Sequence, residues 1–228
     1  MSAEERARVV LSLPSEVPRS APPEGDAHRI PKTRALEALD EYFRRIGRRI
    51  YLSSELPVYY PDERMFAPDL LAVLDVEPRE RGAWVVSHEG KGLDLVLEVH
   101  VSGDARKDAE ANVERYARLE IPEYFTFEPV RGRLLGYRLR GSGTAVYEPI
   151  LPQQGRWSSR VLDLDLALDE GRLRFFHGSA PLLDARELIA RLSSMVDDAV
   201  RRTEEEARRA ERLEEKLRRL GVDPDEPD

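Results

Sequence analysis

The sequence lacks cysteine entirely across its 228 residues. This absence excludes disulfides, thiolate zinc sites and cysteine nucleophiles, and it fits a reducing compartment. No stretch approaches the roughly 20 apolar residues that a membrane helix requires. The first residues, "MSAEERARVVLSLPSE", also lack the apolar centre of a signal peptide. We therefore expect a cytoplasmic protein without a membrane partner.

An excess of positive charge is also missing, because the formal net charge is −8 at pH 7. This balance argues against a general electrostatic attraction to nucleic acid. It leaves room for a local basic groove, and many sites that cut phosphodiesters are themselves acidic because their carboxylates hold metal ions. Hydrophobic residues make up 41% and charged residues 35% of the chain. These fractions indicate a globular domain with a highly charged portion.

Proline and apolar periodicity divide the chain into four parts. Residues 1–31 are predicted to be an N-terminal arm or linker, since five prolines fall between residues 13 and 31. Residues 32–183 form the predicted domain and begin with a helix, for which Thr33 is a plausible N-cap and Gly47 a plausible stop. Residues 184–220 are predicted to be one long helix, followed by a tail at 221–228.

Within the domain, short apolar runs predict strands and helical spacing of apolar residues predicts helices. "FAPDLLAVLDV" and "LDLVLEVHV" are predicted strands, and a helix is predicted from Ser102 or Asp104 to about Leu119. "RLLGYRLRGSGTAVYEPI" and "VLDLDLALDEGRLRFFHG" are predicted hairpins, the second turning at residues 169–171.

The long C-terminal helix carries a heptad pattern, with a weak middle where Thr203 and Glu206 fall on the apolar seam. Between Asp197 and Arg219 there are eight acidic and eight basic residues, so the charged shell is balanced. The pattern fits either a solvated terminal helix or a coiled coil that makes a homodimer. The seam consists of Ile189, Leu192, Val196, Ala199, Thr203, Glu206, Ala210, Leu213, Leu217 and Leu220.

Two carboxylates are candidates for chemistry. Asp69 follows Pro68 at the start of an apolar strand, and Glu98 lies inside "LVLEVHV". An ionised carboxylate on a buried strand is costly unless it is paired or bound to a metal. Strand alternation places His100 on the same face as Glu98. The alternative for both acids is ordinary: a strand-entry aspartate and a glutamate that faces solvent.

The helix after Glu98 presents Asp108, Asn112 and Tyr116 at four-residue spacing, so they share one face. That face could complete a site beside the strand, or it could be ordinary helix packing with a hydrogen-bonded tyrosine.

Taken together, "APDLLAVLDV", "LDLVLEVHVSGDARKDAEANVERYARLEIPEYFTFEP" and the charged helical tail resemble the Uma-two family, whose members are described as putative restriction endonucleases of the PD-(D/E)XK superfamily. The resemblance covers roughly residues 32 to 220 and is strongest from Asp94 to Pro129. It implies an α/β fold with a mixed β-sheet flanked by helices, restriction-endonuclease-like, with the long heptad helix appended. It also implies a Mg²⁺- or Mn²⁺-dependent endonuclease that acts on DNA.

By this similarity Asp69 is the "PD" aspartate and Glu98 the acidic residue of the (D/E)XK element, and both are candidate metal ligands. The family lysine is replaced: His100 stands two residues after Glu98, and Asn112 stands where the family takes a lysine from the following helix. We therefore consider His100, Asn112 and Arg115 as candidates for the lysine's catalytic role. The alternative is a catalytically inactive relative that serves as a binding or assembly module.

Overall fold

The computed structural model describes residues 3–14, 25–101, 105–141, 143 and 145–220, with the backbone alone at 3, 6–7 and 105–110. The chain divides into two compact units, residues 1–184 and 185–228. The first unit contains helices α1 (Ala3–Ser12), α2 (Asp26–Ile46), α3 (Val86–Glu89) and α4 (Ala105–Arg118), together with all the strands. The second unit contains α5 (Ala185–Arg219).

The centre of the first unit is a mixed six-stranded sheet in the order β1-β3-β5-β6-β7-β8. Only β5 and β6 pair in parallel, and α4 makes the crossover that such a pair needs. The prediction of a mixed sheet flanked by helices is therefore confirmed. The strands are β1 (Ile50–Ser53), β3 (Leu70–Leu74), β5 (Leu95–Val99), β6 (Glu123–Glu128), β7 (Arg133–Leu139) and β8 (Tyr147–Pro149).

Two smaller sheets complete the unit. The four-stranded sheet has the order β12-β11-β10-β9, and a parallel pair joins β2 to β4. The strands are β2 (Val58–Tyr59), β4 (Trp84–Val85), β9 (Arg156–Ser159), β10 (Leu164–Asp169), β11 (Arg172–His177) and β12 (Ala180–Pro181). Both predicted hairpins, β7–β8 and β10–β11, are confirmed as antiparallel pairs.

Each face of the central sheet has its own apolar core, because alternate residues of a strand point to opposite faces. Leu95, Leu97 and Val99 of β5 join the core beneath α2, whereas Val96 joins the core that contains Tyr116 of α4. The helices α2 and α4 thus cover opposite faces of the sheet. Glu98, which alternates with Leu97 and Val99, belongs to the α4 face.

The start of α2 corrects the prediction of an arm reaching residue 31. The helix begins at Asp26, with Gly25 rather than Thr33 at its N-cap position, and Pro31 lies inside it. Pro31 lacks an N–H and so removes one backbone hydrogen bond. The buried face Lys32, Ala35, Ala38, Leu39 and Phe43 keeps the helix on the sheet despite this loss. The predicted end at Gly47 is correct, since this glycine adopts the left-handed C-cap conformation at φ 69°.

The helix predicted after Ser102 is present as α4, and the long helix predicted from residue 184 is present as α5. Several expectations lie outside the described residues: the cap at Ser102 or Asp104, the side chain of Asp108, and the tail at 221–228. Among the described residues, no helix is both long enough and apolar enough to cross a membrane.

Candidate active site

The pairing of β3 with β5 brings the two predicted carboxylates together. Leu70 pairs with Leu97 in this antiparallel register, so the next position along each strand places Asp69 opposite Glu98. The backbone N–H of Asp69 donates a hydrogen bond to Glu98 Oε2 at 3.2 Å. The sheet therefore sets the spacing of the two acids through its backbone, rather than through flexible loops.

Glu98 is almost entirely buried, with a relative exposure of 9%. Its other oxygen, Oε1, accepts a hydrogen bond of 2.5 Å from the Tyr116 hydroxyl on α4. Burial, and then the nearby negative charge of Asp69, raise the pKa of Glu98 to about 8, although the hydrogen bond from Tyr116 opposes this. The surroundings of Glu98 therefore favour its protonated form.

Asp69 has the opposite electrostatic environment. Its Oδ2 accepts the backbone N–H of Val99 at 2.7 Å and lies 3.0 Å from His28 Nε2, while Oδ1 lies 3.5 Å from Lys32 Nζ. Burial alone would raise the pKa of Asp69. The hydrogen bonds from His28 and Val99 and the positive charges of His28 and Lys32 outweigh burial, so this pKa lies below its ordinary value. The pair therefore combines one ionised acid with one that burial tends to keep protonated.

Lys32 is the buried cation of the site, with a relative exposure of 4%. Its ammonium forms a close ion pair with Glu55, in addition to the longer contact with Asp69. Glu55 has a left-handed backbone at φ 55°, which is uncommon for a residue other than glycine. The N–H of Glu55 donates to the carbonyl of Pro68 at 2.9 Å, and this contact ties the turn to the segment that carries Asp69.

Asn112, the predicted replacement for the family lysine, has no described contact with either carboxylate. It is half-buried on α4, next to the Tyr124 hydroxyl. Burial, followed by the charge of Glu98, places the pKa of Tyr124 well above its ordinary value. Tyr124 packs edge to face with Tyr116, the hydrogen-bond donor to Glu98, with ring centroids 5.0 Å apart.

The described contacts of Arg115 are with another part of the domain. Its guanidinium binds Glu63 at 3.0 Å and the carbonyl of Arg64 at 2.9 Å, and it lies over the Phe66 ring. His100 directly follows β5, is half-buried, and donates its backbone N–H to the carbonyl of Phe127 at 2.8 Å. The structure therefore brings Asp69 and Glu98 together, whereas Arg115 is held by Glu63 and Arg64.

A divalent metal ion fits the chemistry of the carboxylate pair. Two acids that face each other on adjacent strands offer hard oxygen ligands, and the repulsion from Asp69 that raises the pKa of Glu98 is what a bound cation would relieve. Within the described part of the chain, no group of three or more histidine, cysteine, aspartate and glutamate side chains is placed to hold a metal ion. The pair thus suits Mg²⁺, which usually binds through one or two carboxylates and keeps several waters.

Reasoning from the sequence missed the contribution of α2. His28 and Lys32 are one turn apart and reach the same carboxylate. His28 fell in the predicted arm and Lys32 just before the predicted N-cap at Thr33, so neither was a candidate. A signal was present: the spacing of Lys32, Ala35, Leu39 and Phe43 continues the helical stripe back towards His28.

The first unit is thus an α/β domain whose mixed sheet places two carboxylates opposite each other, beside a buried lysine. A family model described as "Uma2: Putative restriction endonuclease" matches residues 4–170, which is more than half of the chain. The chain therefore belongs to the Uma2 family.

No curated protein matches the chain. Among solved structures, one similar chain is a putative nuclease belonging to DUF820 from Anabaena variabilis, with a TM-score of 0.49 and 14% sequence identity. That match covers 64% of this chain and 80% of the other.

Proposed function

We propose that this protein is a metal-dependent endonuclease that hydrolyses DNA phosphodiesters, with Asp69 and Glu98 as the ligands of Mg²⁺ or Mn²⁺. The observation that carries the proposal is the register of β3 and β5, which sets a buried glutamate opposite an ionised aspartate. Membership of the Uma2 family supports a nuclease.

When bound at this pair, a divalent cation would supply Lewis-acid activation of water and stabilisation of negative charge on the phosphate. The protein's own residues fix the geometry of the two ligands. The Val99 N–H and His28 hold Asp69 in its ionised form, and Tyr116 and the Asp69 N–H fix both oxygens of Glu98. Preorganised ligands of this kind need little rearrangement when the substrate binds.

The proposal predicts metal-dependent cleavage that requires Asp69. Supercoiled plasmid and single-stranded DNA should be cut in Mg²⁺ or Mn²⁺ but not in EDTA, and Asp69→Asn should reduce the rate by at least about 100-fold because a ligand charge is lost. Agarose gels of a time course measure this. Asp94→Asn is the matched control, since Asp94 accepts the Leu74 N–H at 2.7 Å in the same manner but at the opposite end of β5.

Cleavage that is unchanged in Asp69→Asn would show that the site is wrongly assigned. A parent protein that neither cuts DNA nor binds millimolar metal would instead favour the binding or assembly module.

We also propose that the protein forms a homodimer through α5. None of the 35 residues of this helix is buried. On its apolar seam, Ile189, Leu192, Val196 and Leu213 are each more than half exposed. Apolar side chains at heptad spacing on a helix with balanced charge suit a second copy of the same helix. Thr203 and Glu206 weaken the middle of the apolar seam, so we expect a dimer of modest stability.

Deleting residues 199–228 should therefore convert a dimer into a folded monomer, as measured by sedimentation velocity. Within the intact chain, Leu213→Glu should weaken the dimer because it places a charge on the seam, whereas Arg212→Glu, which adds a glutamate off the seam, should leave it intact. If the oligomer is the same with and without the tail, the subunits associate through the first unit instead.

A further inference from the structure

The proposed chemistry requires positive charge beside the two acids. A phosphodiester is an anion, and negative charge on it increases as water attacks, so two carboxylates by themselves would repel it. A fixed cation aimed at the position where charge develops lowers this barrier. Two side chains with basic nitrogens reach Asp69 from α2: His28 and Lys32.

The burial of Lys32 is difficult to explain by stability. Lysine is rarely buried, and a buried ion pair contributes little net stability because desolvation offsets the attraction. Its partner Glu55 retains 46% side-chain exposure, so the same ion pair could form at the surface without burying the lysine. A lysine held against Asp69 in this way is costly for the fold but useful to a site that binds an anion.

The geometry also fixes where the ammonium lies. Glu55 holds it on one side, from a backbone conformation that is itself unfavourable, and Asp69 Oδ1 lies 3.5 Å away. Strained backbone at a residue that positions a charged group is typical of functional sites. Lys32 is therefore anchored beside the proposed metal ligand and has little freedom to turn away.

We propose that Lys32 is a catalytic residue that contacts the scissile phosphate, so that α2 supplies a fixed positive charge to the site. This inference rests on the proposed endonuclease function. In the reaction, the oxygen of water forms a bond to phosphorus and one P–O ester bond breaks. One water proton passes to the leaving oxygen, and the other is released with the phosphate product. The ammonium of Lys32 keeps its protons throughout and stabilises the charge on the non-bridging oxygens.

The test compares Lys32→Met and Lys32→Gln with the parent, by Mn²⁺ titration calorimetry and by cleavage of plasmid DNA. Lys32→Gln keeps a hydrogen-bond donor for Glu55, so it remains informative if Lys32→Met does not fold. Lys91→Met is the matched control, because Lys91 binds Asp94 at 2.8 Å at the opposite end of β5. Glu55→Gln is included because it removes the ion-pair partner but leaves the lysine.

We expect both Lys32 variants to cleave at least about 100-fold more slowly. They should bind Mn²⁺ as tightly as the parent or more tightly, since a cation close to Asp69 repels a second cation. Glu55→Gln should slow cleavage by less than about tenfold, because Asp69 still holds the ammonium of Lys32. Loss of the ammonium itself, a charge-stabilising group, would cost far more. Lys91→Met should match the parent. Opposite effects on binding and cleavage cannot come from a merely structural lysine.

Two results would overturn the inference while leaving the endonuclease in place. One is cleavage by both Lys32 variants at a rate close to that of an active parent. The other is loss of Mn²⁺ binding together with cleavage, which marks Lys32 as structural. If the parent itself neither binds Mn²⁺ nor cuts DNA, the proposed function fails and the inference fails with it.

Discussion

Replacing Glu98 with glutamine should abolish metal-dependent cleavage and at the same time stabilise the metal-free protein. The loss of activity follows from removing one of two proposed ligand charges, and we expect a decrease of at least about 100-fold. The gain in stability follows from burial, since Glu98 is 9% exposed and lies opposite Asp69. Glutamine keeps the shape, and the Tyr116 hydroxyl can turn to accept its amide hydrogen.

The gain should depend on pH in a defined direction. The folded-state pKa of Glu98 is raised to about 8 from an ordinary value of 4.5. Glu98 therefore contributes fully to the free energy of unfolding of the parent below about pH 4.5. This contribution is lost as the pH rises through 8. Each pKa unit corresponds to about 1.4 kcal/mol, so the advantage of Glu98→Gln at pH 8 should amount to a few kcal/mol, and it should vanish near pH 4.

Thermal unfolding in EDTA at several pH values measures this difference. A stabilisation of this size raises the melting temperature by several degrees in a domain of this length. Adding Mg²⁺ should reverse the order, because ligand binding stabilises only the protein that binds it. Equal melting temperatures of parent and Glu98→Gln at pH 8 would contradict a raised pKa of Glu98 in the folded protein.

In a protein that lacks Lys32, the substitution Asn112→Lys should restore part of the lost cleavage. Asn112 lies one helical turn before Tyr116, whose hydroxyl binds Glu98, and it is next to Tyr124, whose pKa responds to the charge of Glu98. A lysine there would bring a positive charge towards the acids from the α4 face. Lysine has at least as good a helix propensity as asparagine, so α4 should tolerate it.

We expect the double variant Lys32→Met, Asn112→Lys to regain at least about tenfold of the rate lost in Lys32→Met, since one charge-stabilising group is worth on the order of 100-fold. Initial rates of plasmid nicking measure the recovery. Asn112→Met in the same background is the control for side-chain length without charge. Adding Asp69→Ala should abolish the recovery. A folded, Mn²⁺-binding double variant with no recovery would mean that a lysine at position 112 does not bring its charge to the acids.

The strand part of the site was predictable from the sequence because it depends on local pattern. Apolar runs marked β3 and β5, and the cost of burying Glu98 made it a candidate before any contact was known. The antiparallel register that sets it opposite Asp69 is a property of the β3–β5 pair, which the pattern of either strand alone does not give.

The helical part was not predictable in the same way, because competing signals obscured it. The prolines around residues 14–31 indicated an arm, whereas burial of the stripe that follows Lys32 stabilises a helix through Pro31. The roles of Arg115 and Asn112 depend on tertiary contacts, with Glu63 and Tyr124 respectively, that spacing along α4 does not reveal.

Whether Asp69 and Glu98 form one metal site can be decided by titrating Mn²⁺ into the parent, Asp69→Asn, Glu98→Gln and Asp94→Asn in a calorimeter. We expect binding by the parent and Asp94→Asn, and no measurable binding by the two variants of the pair. Binding that is the same in all four proteins, or absent from the parent at millimolar metal, would contradict this expectation.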